Sequence, residues 1–301
     1  MIFIKQWIMV LFLSLSIVAP SLAKDSKPVK YGVGFKSYNT RCHIYVNGLK
    51  ALSNIKRKGP VMAGVTMSAY LENGINAVAF DMAPFPESEN TNYQKDAFCE
   101  LTVSKTILYD ESEERTVLFK LIGKVDEDFQ PTGKQSPNYE DNQVIEHPVD
   151  GTDFYRVSKS FEMNGLPEWT WTKATSFEPT EENMQKLREA YLEIWQAINT
   201  RNEKSFKELS YISFSEKKKA AYYPGGWYDS LGFDKDFEKS VGAIPINWGV
   251  YELVVLNKGR LVKLEDNKGF SPLGFRNKDD KRISTYSPYF SLIDGKIVLT
   301  R

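Results

Sequence analysis

The sequence predicts two units in series, an antiparallel β-sandwich followed by an α+β unit with helices packed on an antiparallel sheet. Three observations carry this prediction. Residues 42–82 alternate apolar and polar side chains with a period of two and are punctuated by Asn-Gly pairs, the pattern of hairpins. Met184, Leu187, Tyr191, Ile194, Trp195 and Ile198 then recur at helical spacing. From Val250 onward the period returns to two.

At 301 residues, with 42 % hydrophobic and 13 % aromatic content, the chain has enough apolar material for two cores. Its 39 basic residues balance 39 acidic ones, so no polyanion such as nucleic acid is expected as a partner. Residues 1–23 read as a secretory signal peptide. Lys5 supplies the positive n-region, residues 8–18 the apolar h-region, and Ser21-Leu22-Ala23 the site for cleavage before Lys24. The apolar run falls short of the ~20 residues of a membrane span, so no stable insertion is expected after cleavage. Lys24 stands where a lipoprotein would carry cysteine. The expected location is the periplasm, an oxidising compartment.

The first unit is expected over residues 30–175. Cys42, Ile44 and Val46 fall on one face of its best-patterned strand, His43 and Tyr45 on the other, and Asn47-Gly48 suits a type I′ turn. Val78, Phe80 and Met82 repeat the alternation behind Asn73-Gly74 and Asn76. Cys99 lies on the apolar face with Leu101 and Val103. Two core-facing cysteines in an oxidising compartment are expected to pair, Cys42 with Cys99, two unpaired buried thiols being the alternative. Strand patterns continue over residues 100–106, 107–109 and 115–125. Residues 126–148 lose periodicity and gain Pro131, Gly133, Pro137 and Asn138, so a long, mobile, acidic surface loop is expected. Residues 154–163 and 168–175 read as a hairpin about Asn164-Gly165-Leu166-Pro167, with Trp169 and Trp171 on one face.

The order Ile44, Val46, Asn47, Gly48, then Leu71, Gly74, Asn76, Val78, Phe80 resembles the jelly-roll modules of the galactose-binding-domain-like group. That group includes the sugar-binding lobe of family-two glycoside hydrolases. The resemblance implies a jelly-roll-like sandwich, a fold that in some members binds sugars and in others only packs against neighbouring domains.

The second unit is expected over residues 176–301. Thr180 is placed to cap a helix whose first turn carries Glu181 and Glu182, and a shorter helix follows over residues 203–209. Strands are expected over 250–256, 260–265 and 270–275, with a last hairpin, 289–293 and 296–300, turned by Asp294-Gly295. This order, with the phrase from Tyr191 through Trp195, Ile198, Asn202 and Phe206 to Leu209, is similar to the opening of the NTF2-like (nuclear-transport-factor-two-like) fold. Enzymes of that group commonly use an Asp–His pair, and this chain has no histidine after His147.

Reactive motifs are few. The chain has two histidines, His43 and His147, and no Gly-x-Ser-x-Gly elbow. No His-x-x-x-His or Cys-x-x-Cys spacing offers a zinc site, and no phosphate loop or EF-hand is present, so no metal or cofactor is expected. Ser53 and Ser215 open Ser-x-x-Lys patterns without the companion elements of an acyl-enzyme. Glu181-Glu182 and the acidic run 111–114 read as a first helical turn and a solvated turn, not as catalytic carboxylates.

Tyr222, Tyr223, Trp227 and Tyr228 form the candidate contact surface, because Gly225 and Gly226 bar a helix and leave four large aromatics on a loop beside Lys217-Lys218-Lys219. Rings that plug the open end of the helix–sheet layer are the alternative. The expectation is a non-catalytic exported binding protein whose partner is another protein, a toxin or an envelope component, rather than a small molecule. This architecture resembles the immunity-type proteins that shield a cell from a delivered toxin, which implies an inhibitor of a secreted toxin. A cell-envelope carbohydrate-binding protein or glycan hydrolase is the alternative.

Overall fold

The computed structural model describes residues 28–86, 92–109 and 115–301. The signal-peptide reading of residues 1–23 and the acidic turn 111–114 lie outside them. The N-terminal part is built from antiparallel strands: β1 (Val29–Tyr38), β2 (Arg41–Val46), β3 (Leu49–Asn54), β4 (Val61–Thr66), β5 (Gly74–Ala83), β6 (Phe98–Ile107), β7 (Arg115–Val125), β8 (Pro131–Thr132), β9 (Ile145–Pro148) and β10 (Tyr155–Met163). They form two five-stranded sheets, β4-β1-β6-β7-β8 and β3-β2-β5-β10-β9.

One core lies between these sheets because each presents a period-two apolar face. Val33, Phe35, Leu101, Val103 and Leu121 come from the first sheet, and Ile44, Val46, Val78, Phe80, Met82 and Val157 from the second. Cys42 on β2 and Cys99 on β6 form the expected disulfide, which bridges the two sheets with Cα atoms 6.2 Å apart. Asn47 (φ 49°) and Gly48 (φ 82°) supply the two left-handed residues that a type I′ turn between β2 and β3 needs.

Several expectations change. Residues 126–148 are not one irregular loop. They contain β8 and β9, and the Glu146 carboxylate draws the segment together by accepting from Tyr139 Oη at 2.6 Å and from Gly133 N. Residues 168–175 are not a strand and make no hairpin with β10. Thr170–Lys173 is a turn of 3₁₀ helix, because Trp169 and Trp171 are buried by donating their indole N–H groups to Leu71 O (3.0 Å) and Ala69 O (3.1 Å) instead of lying on a sheet. The strand pattern at residues 107–109 stops at Ile107, and Tyr109 turns the chain at φ 59°.

The C-terminal part is α+β. It comprises α1 (Glu181–Asn199), α2 (Glu203–Leu209), α3 (Tyr211–Ala221), α4 (Trp227–Ser230) and α5 (Phe233–Lys239), then β11 (Gly242–Ala243), β12 (Glu252–Leu256), β13 (Leu261–Glu265), β14 (Leu273–Arg276), β15 (Arg282–Tyr286), β16 (Phe290–Ile293) and β17 (Lys296–Leu299). Thr180 caps α1 by accepting from Asn183 N at 3.2 Å. The strands form two antiparallel sheets, β11-β14-β15 and β12-β13-β16-β17. Phe206, Phe214, Tyr228, Phe233, Phe237, Phe275 and Tyr286 fill the space between helices and sheet.

A third, smaller core joins the two parts. Leu49 and Ala69 from the N-terminal strands and turn, Trp169 and Trp171, Ala220 of α3 and Leu261 of β13 pack together. Among the described residues no helix is long and apolar enough to cross a membrane.

Candidate functional site

A sheet edge exposes a row of unpaired backbone N–H and C=O groups, and proteins ordinarily blunt such rows with proline, charge or shortness. Most edges here are blunted. β8 carries Pro131, β9 Pro148, β3 Lys50, β12 Glu252, β15 Arg282 and β17 Lys296, while β11 is two residues long and lies against α1. β4 differs from all of them. Its six residues, Val-Met-Ala-Gly-Val-Thr, carry no charge and no proline, and its four central residues are exposed.

Its register shows which groups face outward. Met67 N donates to Tyr31 O at 2.9 Å, so residues at even steps from Met67 (Val65, Ala63, Val61) turn their backbone groups toward β1. Met62, Gly64 and Thr66 therefore turn theirs to the free edge. The side chains of these three also point to the outer face, since the partners of Val65 and Ala63 are the core residues Val33 and Phe35. Met62 is 73 % exposed, on a stretch of strand that nothing among the described residues covers, while the end at Val65 and Thr66 faces Leu49, Lys50 and Ala51 of β3 across a small pocket.

β4 is also one wall of an open trough of about 520 Å³ on the outer face of its sheet. The floor is low because Gly34 of β1 and Gly64 of β4 sit side by side. Arg115, from β7, reaches across β6, where its Nε donates to Ser104 Oγ at 2.7 Å. Its guanidinium ends over Gly34, where a Cβ would lie 3.3 Å from Nη2. Lys36 and Lys120 add two further cations, and Glu100 is taken up by Lys120 at 3.2 Å. No carboxylate of the described residues pairs with Lys36 or Arg115, so the described lining of the trough is net positive.

The four aromatics singled out by sequence are divided. The loop expected at Tyr222–Tyr228 is instead a tight connection: Tyr222 ends α3 in the left-handed region (φ 51°) and Gly226 opens α4. Tyr228 is buried in the aromatic core with Lys207 Nζ 4.1 Å above its ring, and Trp227 packs against that core. Tyr222 and Tyr223 are left at the surface. Of the basic shoulder, Lys218 and Lys219 are exposed, whereas Lys217 is half-buried and desolvation, then Arg301, brings its ammonium down to about 7.

The outer face of the second sheet gathers polar groups. Across β3, β2, β5, β10 and β9, Ser53, His43, Asp81, Arg156 and His147 stand in one transverse row. This is not a triad. Arg156 holds both Asp81 oxygens, at 2.6 and 2.7 Å, and among the described residues no hydrogen bond joins His43 to Ser53 or Asp81. Burial, then Lys50, draws His43 down to about 4, and its Nδ1 has no partner. Among the described residues no group of three or more His, Cys, Asp or Glu side chains is placed to hold a metal.

Sequence reasoning passed over β4. A signal was present: a six-residue run of apolar and small residues without charge, bounded by Gly59-Pro60. Its alternation is hidden by Ala63 and Gly64, which read as neither face. Comparison with family models, with curated proteins and with solved structures finds no match to this chain.

Proposed function

We propose that the chain is a non-catalytic, exported, periplasmic binding protein of the immunity type, and that its protein partner docks by adding a strand to β4. The observation that carries this reading is the uncharged β4 edge, exposed over its four central residues, where the other sheet edges among the described residues are blunted. Main-chain hydrogen bonds to Met62, Gly64 and Thr66 would give affinity, and the trough beside them would give selectivity. In this reading the N-terminal part is a jelly-roll-like sandwich that presents the edge. The C-terminal part is an NTF2-like unit whose cone is filled by aromatic rings, a packing that suits a support better than a catalytic cavity.

Met62→Pro tests the reading without touching the fold's own ladder. Proline there removes an outward N–H and leaves the bonds to β1 in place, while Met62→Thr removes the same side chain and keeps the N–H. The expected result is one stoichiometric periplasmic partner retained by the wild type and by Met62→Thr, lost by Met62→Pro, with protection against the toxin encoded nearby following the same order. Equal retention by both variants would falsify docking at β4. Glycan binding or release of reducing sugar by the isolated protein, with no protein partner retained, would replace it with the carbohydrate reading.

A further inference from the structure

We infer that the segment received by β4 is an extended acidic strand, with carboxylate side chains at alternate positions lying across the Gly34–Gly64 floor toward Arg115 and Lys36. This rests on the reading of β4 as the docking edge and adds the chemistry of what docks. A strand added to β4 lies roughly 10 Å from β1, two strand spacings. Side chains on its outer face point over Met62, Gly64 and Thr66. Over Gly64 a Cβ would meet only backbone, Val33 O at 3.4 Å and Gly34 Cα at 3.7 Å, and over the next residue inward, Gly34, the one side chain near a Cβ is the Arg115 guanidinium. A carboxylate reaching across that gap meets the two Nη groups of Arg115, which no hydrogen bond among the described residues engages, in the fork geometry that arginine offers. Lys36 flanks the same lane beside Met62, its register partner.

Charge and shape point the same way. Among the described residues, three cations line the trough against a single carboxylate, and that carboxylate is already engaged by Lys120. A basic segment would bring like charges together over Arg115, a cost that selects against it. An apolar segment would strand the guanidinium without an anion under a covering strand, which is costly for a charge losing solvent.

The test uses short synthetic peptides alternating Val with Glu, and the same peptides with Lys in place of Glu, titrated against the full chain. The Glu peptide is expected to bind, to be lost with Met62→Pro, and to weaken about tenfold with Arg115→Gln and with rising salt. Far-ultraviolet circular dichroism of each variant checks that the fold is kept. Equal binding of the Glu and Lys peptides, or no effect of Arg115→Gln while Met62→Pro still abolishes binding, overturns the acidic strand and leaves the edge reading intact. Glu-peptide binding that survives Met62→Pro overturns the edge reading itself. Failure of both peptides to bind overturns the acidic strand, and the edge reading then stands or falls with the full-length partner.

Discussion

His43 illustrates how much a single position depends on its surroundings. Its ring lies 4.9 Å from that of Phe154, on the polar face of a strand whose other face is core. Lys50 and Arg41 oppose its protonation and Asp81 favours it, but burial dominates and the imidazole is neutral down to about 4. A base held neutral in the folded chain and free to protonate in the unfolded one contributes its full stabilisation above about 6.5, and that contribution fades as the pH falls toward about 4. Allowing for solvent screening of a half-exposed ring, the loss is roughly 1–2 kcal/mol. Urea unfolding of wild type and His43→Phe over this window should show the wild type weakening and the variant nearly flat; parallel curves would mean that His43 is not the group responsible. The placement of His43 opposite the core residues was legible from alternation, as was the Cys42–Cys99 pairing, which closes a 57-residue separation and stabilises by about 4 kcal/mol in the chain-entropy model. What alternation could not supply was the neighbours, because Phe154 and Asp81 reach His43 only through the pairing of distant strands.

Elements with strong local chemistry were readable in the same way. Asn47-Gly48 and Asp294-Gly295 turn their hairpins with both residues at positive φ, and α1 begins behind Thr180. Local signals suffice there because turn and cap geometry is decided within a few residues. Thr180→Ala should cost about 1 kcal/mol in thermal or chemical unfolding, and Thr180→Ser little, since the serine hydroxyl can still accept from Asn183 N. Equal losses for both would point to the methyl group and not the cap. Elements set by distant partners were not readable. Trp169 and Trp171 looked like one face of a strand but are fixed by carbonyls of Leu71 and Ala69, about a hundred residues earlier in the chain. The Tyr222–Tyr228 stretch looked like a loop because two glycines stand in it, yet Gly226 opens a short helix that drives Tyr228 into the aromatic core. β4, the element on which the proposed function rests, was hidden by its own small residues.

At the scale of the whole molecule, one guanidinium links the two parts. Arg301 is fully buried; its Nε donates to Ala69 O at 2.7 Å and its Nη1 to Glu216 of α3 at 2.6 Å. The group lies over the rings of Trp169 and Trp171, 5.5 and 5.8 Å from their centroids. Glu216 in turn accepts from Thr170 N and Oγ1 with its other oxygen, and Arg260 of the C-terminal part grips Glu72 of the N-terminal part from both guanidinium ends. Burial lowers the Arg301 pKa from its ordinary value, and Glu216 opposes that shift. Removing one member of a buried pair costs about 3–5 kcal/mol, because the survivor keeps its charge without its counterion. Arg301→Met should therefore destabilise by about 3 kcal/mol and, since the loss falls on contacts that both cores share, split a single calorimetric transition into two. Arg301→Met with Glu216→Gln should recover part of the loss, because the stranded carboxylate is gone while its bonds to Thr170 are kept. A single transition at an unchanged midpoint in Arg301→Met would show that the two cores are coupled through the Trp169–Trp171 packing and the Arg260–Glu72 pair instead, and that the buried guanidinium is dispensable to that coupling.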